Sequence, residues 1–125
     1  MSLGLLDTSL VIALAQEKPV AMPEAGAVSI VTLCELHHGV LVADDEQRPE
    51  RLATLMLAQT ELRPLALGAG AVPHYARMMS AARRAGRRPG TNDVLIAATA
   101  AAHGLPVYTC DRDFVGLDGV EVVLA

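Results

Sequence analysis

The hydrophobic pattern switches period along the chain, and the switches mark the elements. Leu3, Leu5 and Leu6 make a short apolar run ending at Asp7, which predicts a buried strand. Val11, Ile12, Leu14 and Ala15 then recur at helical spacing, with Thr8 and Ser9 as candidate N-cap oxygens. Pro and Gly punctuate residues 19–26. Residues 27–30 read as a second strand, and Thr32 opens a helix carrying Leu33, Leu36 and Val40, with Glu35 expected in its first turn.

Residues 45–59 start with acidic residues and Pro49 and continue with Leu52, Leu55 and Met56, the pattern of an amphipathic helix. Residues 62–67 are a weaker strand signal. Met78, Met79 and Ala82 predict a helix over 71–85, ended by Gly86 and the Arg-Arg-Pro-Gly loop of 87–90. Thr91 or Asn92 can cap the next helix, 93–103, which is nearly all Ala, Leu, Ile and Val and so must be buried. Gly104 and Pro106 stop it, residues 107–109 read as a strand, and residues 120–124 as a last one.

Strands alternating with helices predict an α/β fold whose short central sheet is mostly parallel and covered on both faces. No repeat, low-complexity tract or linker interrupts the pattern, so residues 1–125 are expected to form one domain. In such sheets ligands collect at the carboxyl ends of the strands, where both Asp7 and Asp111 fall.

Composition sharpens this picture. Apolar residues make up 52% of the chain, yet it has one Phe, two Tyr and no Trp, so the core must be aliphatic. Two cysteines, Cys34 and Cys110, are too few for a disulfide framework, and no apolar run approaches a membrane span. The amino terminus lacks the pattern of a signal peptide, and a cytoplasmic, reduced protein is expected. A net charge of -4 argues against a general nucleic-acid binder. The charge is unevenly laid out, however: Arg83, Arg84, Arg87 and Arg88 crowd together just before Asn92 and Asp93, a candidate RNA-phosphate patch.

Asp7, Glu35, Asp93, Asp111 and Asp113 all project toward one rim of the predicted sheet. One acidic residue in the first turn of a helix is explained by the macrodipole, worth about 0.3–1 kcal/mol. Several at one edge, each beside a buried segment where an unpaired charge is expensive, call for protonation or a hard cation. Oxygen-only ligation suits Mg²⁺ or Mn²⁺.

Four stretches carry a resemblance to a known family: Leu-Leu-Asp-Thr-Ser at 5–9, the segment 32–39 around Glu35, Gly-Thr-Asn-Asp-Val-Leu-Ile-Ala-Ala-Thr-Ala at 90–100, and His-Gly-Leu-Pro-Val-Tyr-Thr-Cys-Asp-Arg-Asp-Phe at 103–114. In that order they resemble the PIN domain, and within it the VapC-like toxins of bacterial toxin-antitoxin pairs. The resemblance implies a three-layer α/β/α fold. It also implies that Asp7, Glu35, Asp93 and Asp111 match the family's acidic quartet, with Asp113 as an additional acid near the metal. It further implies cleavage of single-stranded regions of RNA (tRNA, rRNA or mRNA), and inhibition by a cognate antitoxin whose Arg-containing tail enters the acidic pocket.

On this reading Asp7, Asp93, Asp111 and Asp113 hold Mg²⁺, or Mn²⁺, which activates water and leaves 5′-phosphate and 3′-hydroxyl ends. Glu35 orients that water or binds metal directly. Thr8, Ser9, Asn92 and Thr109 are candidate partners of the metal-binding carboxylates, each equally explicable as a cap or a strand end. His37, His38, His74 and His103 lack ligand spacing and read as surface or partly buried side chains, and the cysteines as small buried filler.

A receiver domain would share the size, the architecture and Mg²⁺. It would need paired acids after the first strand, an Asp after the third and a late Lys, whereas Asp7 stands alone, residues 62–69 contain no Asp and Lys18 is the last Lys. A PIN-like module that only binds would gain nothing from a costly charge cluster. The abundance of Leu, Val and Ala suggests surfaces for a second copy and an antitoxin.

Overall fold

The computed structural model describes residues 2–125. The strands β1 (Leu3–Leu6), β2 (Ala25–Ser29), β3 (Arg63–Leu65), β4 (Val107–Thr109) and β5 (Val122–Leu124) form one sheet in the order β3-β2-β1-β4-β5. All four pairings are parallel, so the expected mostly parallel sheet is parallel throughout. The chain therefore starts in the middle of its sheet: Leu5 is in register with Ala27 on one side and Val107 on the other.

Five α-helices cover the sheet: α1 (Thr8–Ala15), α2 (Ile30–Val42), α3 (Arg48–Glu61), α4 (Val72–Arg84) and α5 (Thr91–Ala102). Because side chains alternate across a strand, Leu5 and Ala27 enter one core and Leu6 and Val28 the other. The first core is completed by Met78 of α4 and by Val94, Ile96, Ala97 and Ala100 of α5. The second is completed by Leu10 and Val11 of α1, Leu36 of α2, and Leu55 and Ala58 of α3. The result is the three-layer α/β/α arrangement. No helix is long and apolar enough to cross a membrane, among the described residues.

The helix starts differ from the sequence expectation for one physical reason: the residue that ends a strand also caps the helix. Asp7, not Thr8 or Ser9, is the N-cap of α1, accepting from the Leu10 N–H. Ser29, the last residue of β2, caps α2 by accepting from Val31, so α2 starts two residues before Thr32 and Glu35 lies in its second turn. Gly90 precedes α5, and neither Thr91 nor Asn92 caps it. With no loop between strand and helix, a side chain at the strand end is aimed along the edge of the sheet.

The aliphatic composition allows close approaches. A Cβ on Gly4, in the central strand, would stand 2.5 Å from the Tyr108 ring of the adjacent strand. Gly4→Ala is therefore expected to lower stability by about 1–3 kcal/mol, the usual cost of overpacking. Urea unfolding should show a lower midpoint at an unchanged m-value, and a wild-type midpoint would mean that the Tyr108 ring moves aside freely.

Candidate active site

Asp7 follows directly on the central strand, 3% exposed. A carboxylate there needs partners, and the sequence supplies them from two ends of the chain. Oδ1 accepts from the Leu10 N–H at 3.0 Å, Ser9 Oγ lies 2.9 Å from both carboxylate oxygens, and Thr109 Oγ1 donates to Oδ2 at 2.7 Å. Those hydroxyls are themselves held by the backbone after β4: Cys110 N–H donates to Ser9 Oγ at 3.2 Å and Asp111 N–H to Thr109 Oγ1 at 2.9 Å. Desolvation pushes the Asp7 pKa up, the bonds from Thr109, Leu10 and Ser9 pull it back, and the charge on Asp111 raises it further, leaving it above its ordinary value.

Glu35 reaches the same edge from α2. Its Oε1 accepts from Thr8 Oγ1 at 2.7 Å, and Thr8 Oγ1 also lies 3.1 Å from Thr32 Oγ1, which is fully buried. Thr32, expected only to open a helix, instead backs the hydroxyl that fixes Glu35. Asp111 caps a 3-10 turn, Arg112–Phe114, accepting from Asp113 N–H at 2.9 Å. Asp113 itself is exposed.

Asp93, half-buried in the first turn of α5, brings the five carboxylates into one electrostatic unit. Its pKa is pushed up to about 6, first by burial and then by the charges of Asp111, Glu35, Asp7 and Asp113. Among the described residues the ion pairs, Arg48–Asp45 and Arg77–Asp118, involve none of these five carboxylates. The donors of this rim are hard oxygens, the chemistry that suits Mg²⁺ or Mn²⁺. As they stand, no group of three His, Cys, Asp or Glu side chains among the described residues closes around a single point.

The remaining predicted residues fall as follows. Asn92 is exposed. Arg83, Arg87 and Arg88 share a groove of about 730 Å³ with Ser80, whereas Arg84 turns back to donate to Ser80 Oγ at 2.6 Å and does not line it. Cys34 and Cys110 are both exposed, a correction to the filler role expected of them: each flanks an acidic residue at the open edge of the sheet, beyond the reach of the core.

A carboxylate-rimmed sheet edge occurs on several α/β folds; the family model for the PIN domain matches residues 5–120. The chain belongs to the PIN-domain family. "Ribonuclease VapC5" of Mycobacterium tuberculosis is 40% identical over 124 residues, covering 96% of this chain and 91% of that protein. "Ribonuclease VapC4" of the same organism is 42% identical over 97 residues, 77% of this chain and 74% of its own. The structure of "a member of the VapBC family of toxin-antitoxin systems, VapBC-5", also from M. tuberculosis, superposes with a TM-score of 0.87 at 38% identity over the whole of both chains. The PIN-domain resemblance carried by the four motifs is thereby met over nearly the full length.

The raised Asp93 pKa has a consequence for stability. Between the unfolded value of 3.8 and the folded value of about 6, the folded state binds more protons than the unfolded one. The stabilising contribution of Asp93 is thus fully present below pH 3.8 and lost as pH rises through about 6. Metal-free protein should lose melting temperature across that window in excess of an Asp93→Asn variant. Parallel pH profiles would show that neither burial nor the neighbouring carboxylates raise the Asp93 pKa in the folded state.

Proposed function

We propose that the protein is a Mg²⁺-dependent endoribonuclease, Mn²⁺ being the alternative ion, that cuts single-stranded regions of RNA (tRNA, rRNA or mRNA) as the toxin of a toxin-antitoxin pair. The observation that carries this reading is the placement of Asp7 and Asp111 directly after neighbouring parallel strands, linked through Ser9 and Thr109, with none of the five acids in an ion pair among the described residues. Family membership and the ribonuclease names of the VapC relatives support it.

Asp7, Asp93, Asp111 and Asp113 are the residues that would hold the ion. When bound, a divalent ion supplies Lewis acidity at the scissile phosphate and charge neutralisation among the carboxylates. The chain's own residues do the positioning. Ser9 and Thr109 hold both oxygens of Asp7 in one orientation, which leaves little reorganisation to be done when substrate arrives. Thr8 aims Glu35 at the rim, where it can accept a proton from an attacking water or orient it. The exposed Arg83 and Arg88 offer phosphate contacts that would carry RNA to an otherwise repulsive edge.

A groove of about 470 Å³ between α1, α2 and α3 opens onto Glu35 and is lined in part by Ile12, Leu36 and Gly39. It suits an antitoxin segment that ends in a basic side chain at the acids, and the toxin-antitoxin origin of the superposed structure supports such a partner. Exposed Leu41 and Val42 on α2 and Val72 on α4 leave apolar surface for that partner and for a second copy.

Purified protein is expected to cleave total RNA with Mg²⁺ and not with EDTA. Asp93→Asn should slow cleavage by about a thousandfold, the scale of removing several kcal/mol of metal-borne charge stabilisation. Equal cutting by the variant would place the activity elsewhere, and absence of cutting on any RNA would favour a PIN-like module that binds without turnover.

A further inference from the structure

The arginines of residues 83–88 do not act as one patch. Arg83 and Arg88 are exposed, whereas Arg87, on the wall of the same groove, is half-buried and has a partner on another segment. Its Nη2 donates to the backbone oxygen of Asp113 at 2.9 Å, across 26 residues of sequence. We propose that Arg87 is a strap that holds the 111–119 loop, and with it Asp111 and Asp113, against the end of α4, and so is a positioning residue and not an RNA contact.

Three further observations carry this assignment. The strap has a fixed base: after Gly86 turns with φ +72°, Arg87 N–H donates to the Ala82 oxygen at 2.8 Å, closing the end of α4. The loop also makes room for it. Gly116 has φ +90°, and a Cβ there would stand 3.0 Å from Arg87 Nη1, so the guanidinium lies in a gap that only glycine leaves open. A second guanidinium grips the far end of the same loop in the same way: Arg77 Nε faces Asp118 at 3.6 Å, and Arg77 Nη2 stands 3.3 Å from where a Cβ on Gly119 would be, at φ +80°.

The loop needs an outer fastening because its inner one is one-sided. Phe114 and Leu117 are buried in the core, while Asp113, Val115, Gly116 and Asp118 between and beside them are exposed. Asp113 N–H is bonded to the Asp111 carboxylate, so the residue whose carbonyl Arg87 holds also orients Asp111 through its N–H. Holding the Asp113 carbonyl from the other side therefore fixes two members of the acidic rim at once.

The kinetic part of this inference rests on the ribonuclease reading; the strap itself does not. Amide hydrogen exchange on the metal-free protein tests it directly. Arg87→Ala is expected to speed exchange of residues 111–119 about fivefold or more, as losing one charge-assisted hydrogen bond at a partly exposed site would, with α5 unchanged. Arg87→Lys, which keeps the charge and one donor, should fall between. In RNA cleavage Arg87→Ala should lower kcat at unchanged KM and unchanged salt dependence, whereas Arg88→Ala should raise KM and flatten the salt dependence. Wild-type exchange in both Arg87 variants overturns the strap, and so does a raised KM with flattened salt dependence in Arg87→Ala. Absence of cleavage by the wild type would sink the ribonuclease reading and leave the exchange result to decide the strap alone.

Discussion

Burying an ionisable carboxyl at the end of the central strand costs several kcal/mol unless its oxygens are met by donors, and much of the structure follows from how Asp7 is met. Its partners are a helix N–H four residues from the strand, a hydroxyl on the first turn of that helix, and a hydroxyl at the end of the neighbouring strand. The last of these fixes where β4 must lie, and the amides of Cys110 and Asp111 fix how the chain leaves it. With β1 and β4 locked in this way, the partners of one buried carboxylate also set where Asp111 leaves the sheet, beside Asp7.

Helix α5 buries Val94, Ile96, Ala97, Ala98, Thr99 and Ala100 and delivers Asp93 at its first turn, so the group with the raised pKa stands on a well-packed element. Rigidity matters more for repelling groups than for attracting ones, since a flexible support would relax the repulsion by moving apart.

Element order, sheet type and the position of the acids were legible in the sequence because hydrophobic period and strand ends are local signals. Asp7 could be placed at a strand-helix junction from Leu5, Leu6 and the run beginning at Leu10, and the burial of α5 from its composition. The caps were not legible for a physical reason: Thr8, Ser9 and Thr32 are good cap formers, but Asp7, one residue before Thr8, and Ser29, three before Thr32, take the role at the strand ends. The freed hydroxyls of Thr8 and Ser9 then turn to the carboxylates, with the Thr32 hydroxyl behind that of Thr8. The exposure of Cys34 and Cys110 and the inward turn of Arg87 depend on contacts between segments far apart in sequence, which periodicity does not encode.

The pairing between Asp7 and Thr109 closes across 102 positions. A chain grows from its amino end at about 5–20 residues per second, so until β4 is made the first strand can have β2 beside it and nothing on its other edge. The carboxylate at its tip then lacks its strongest donor, and the acids of the last quarter are not yet made. A chain released early is therefore born without the rim, however well its first half folds, and the assembled edge arises in a single late step instead of ripening gradually along the nascent polypeptide.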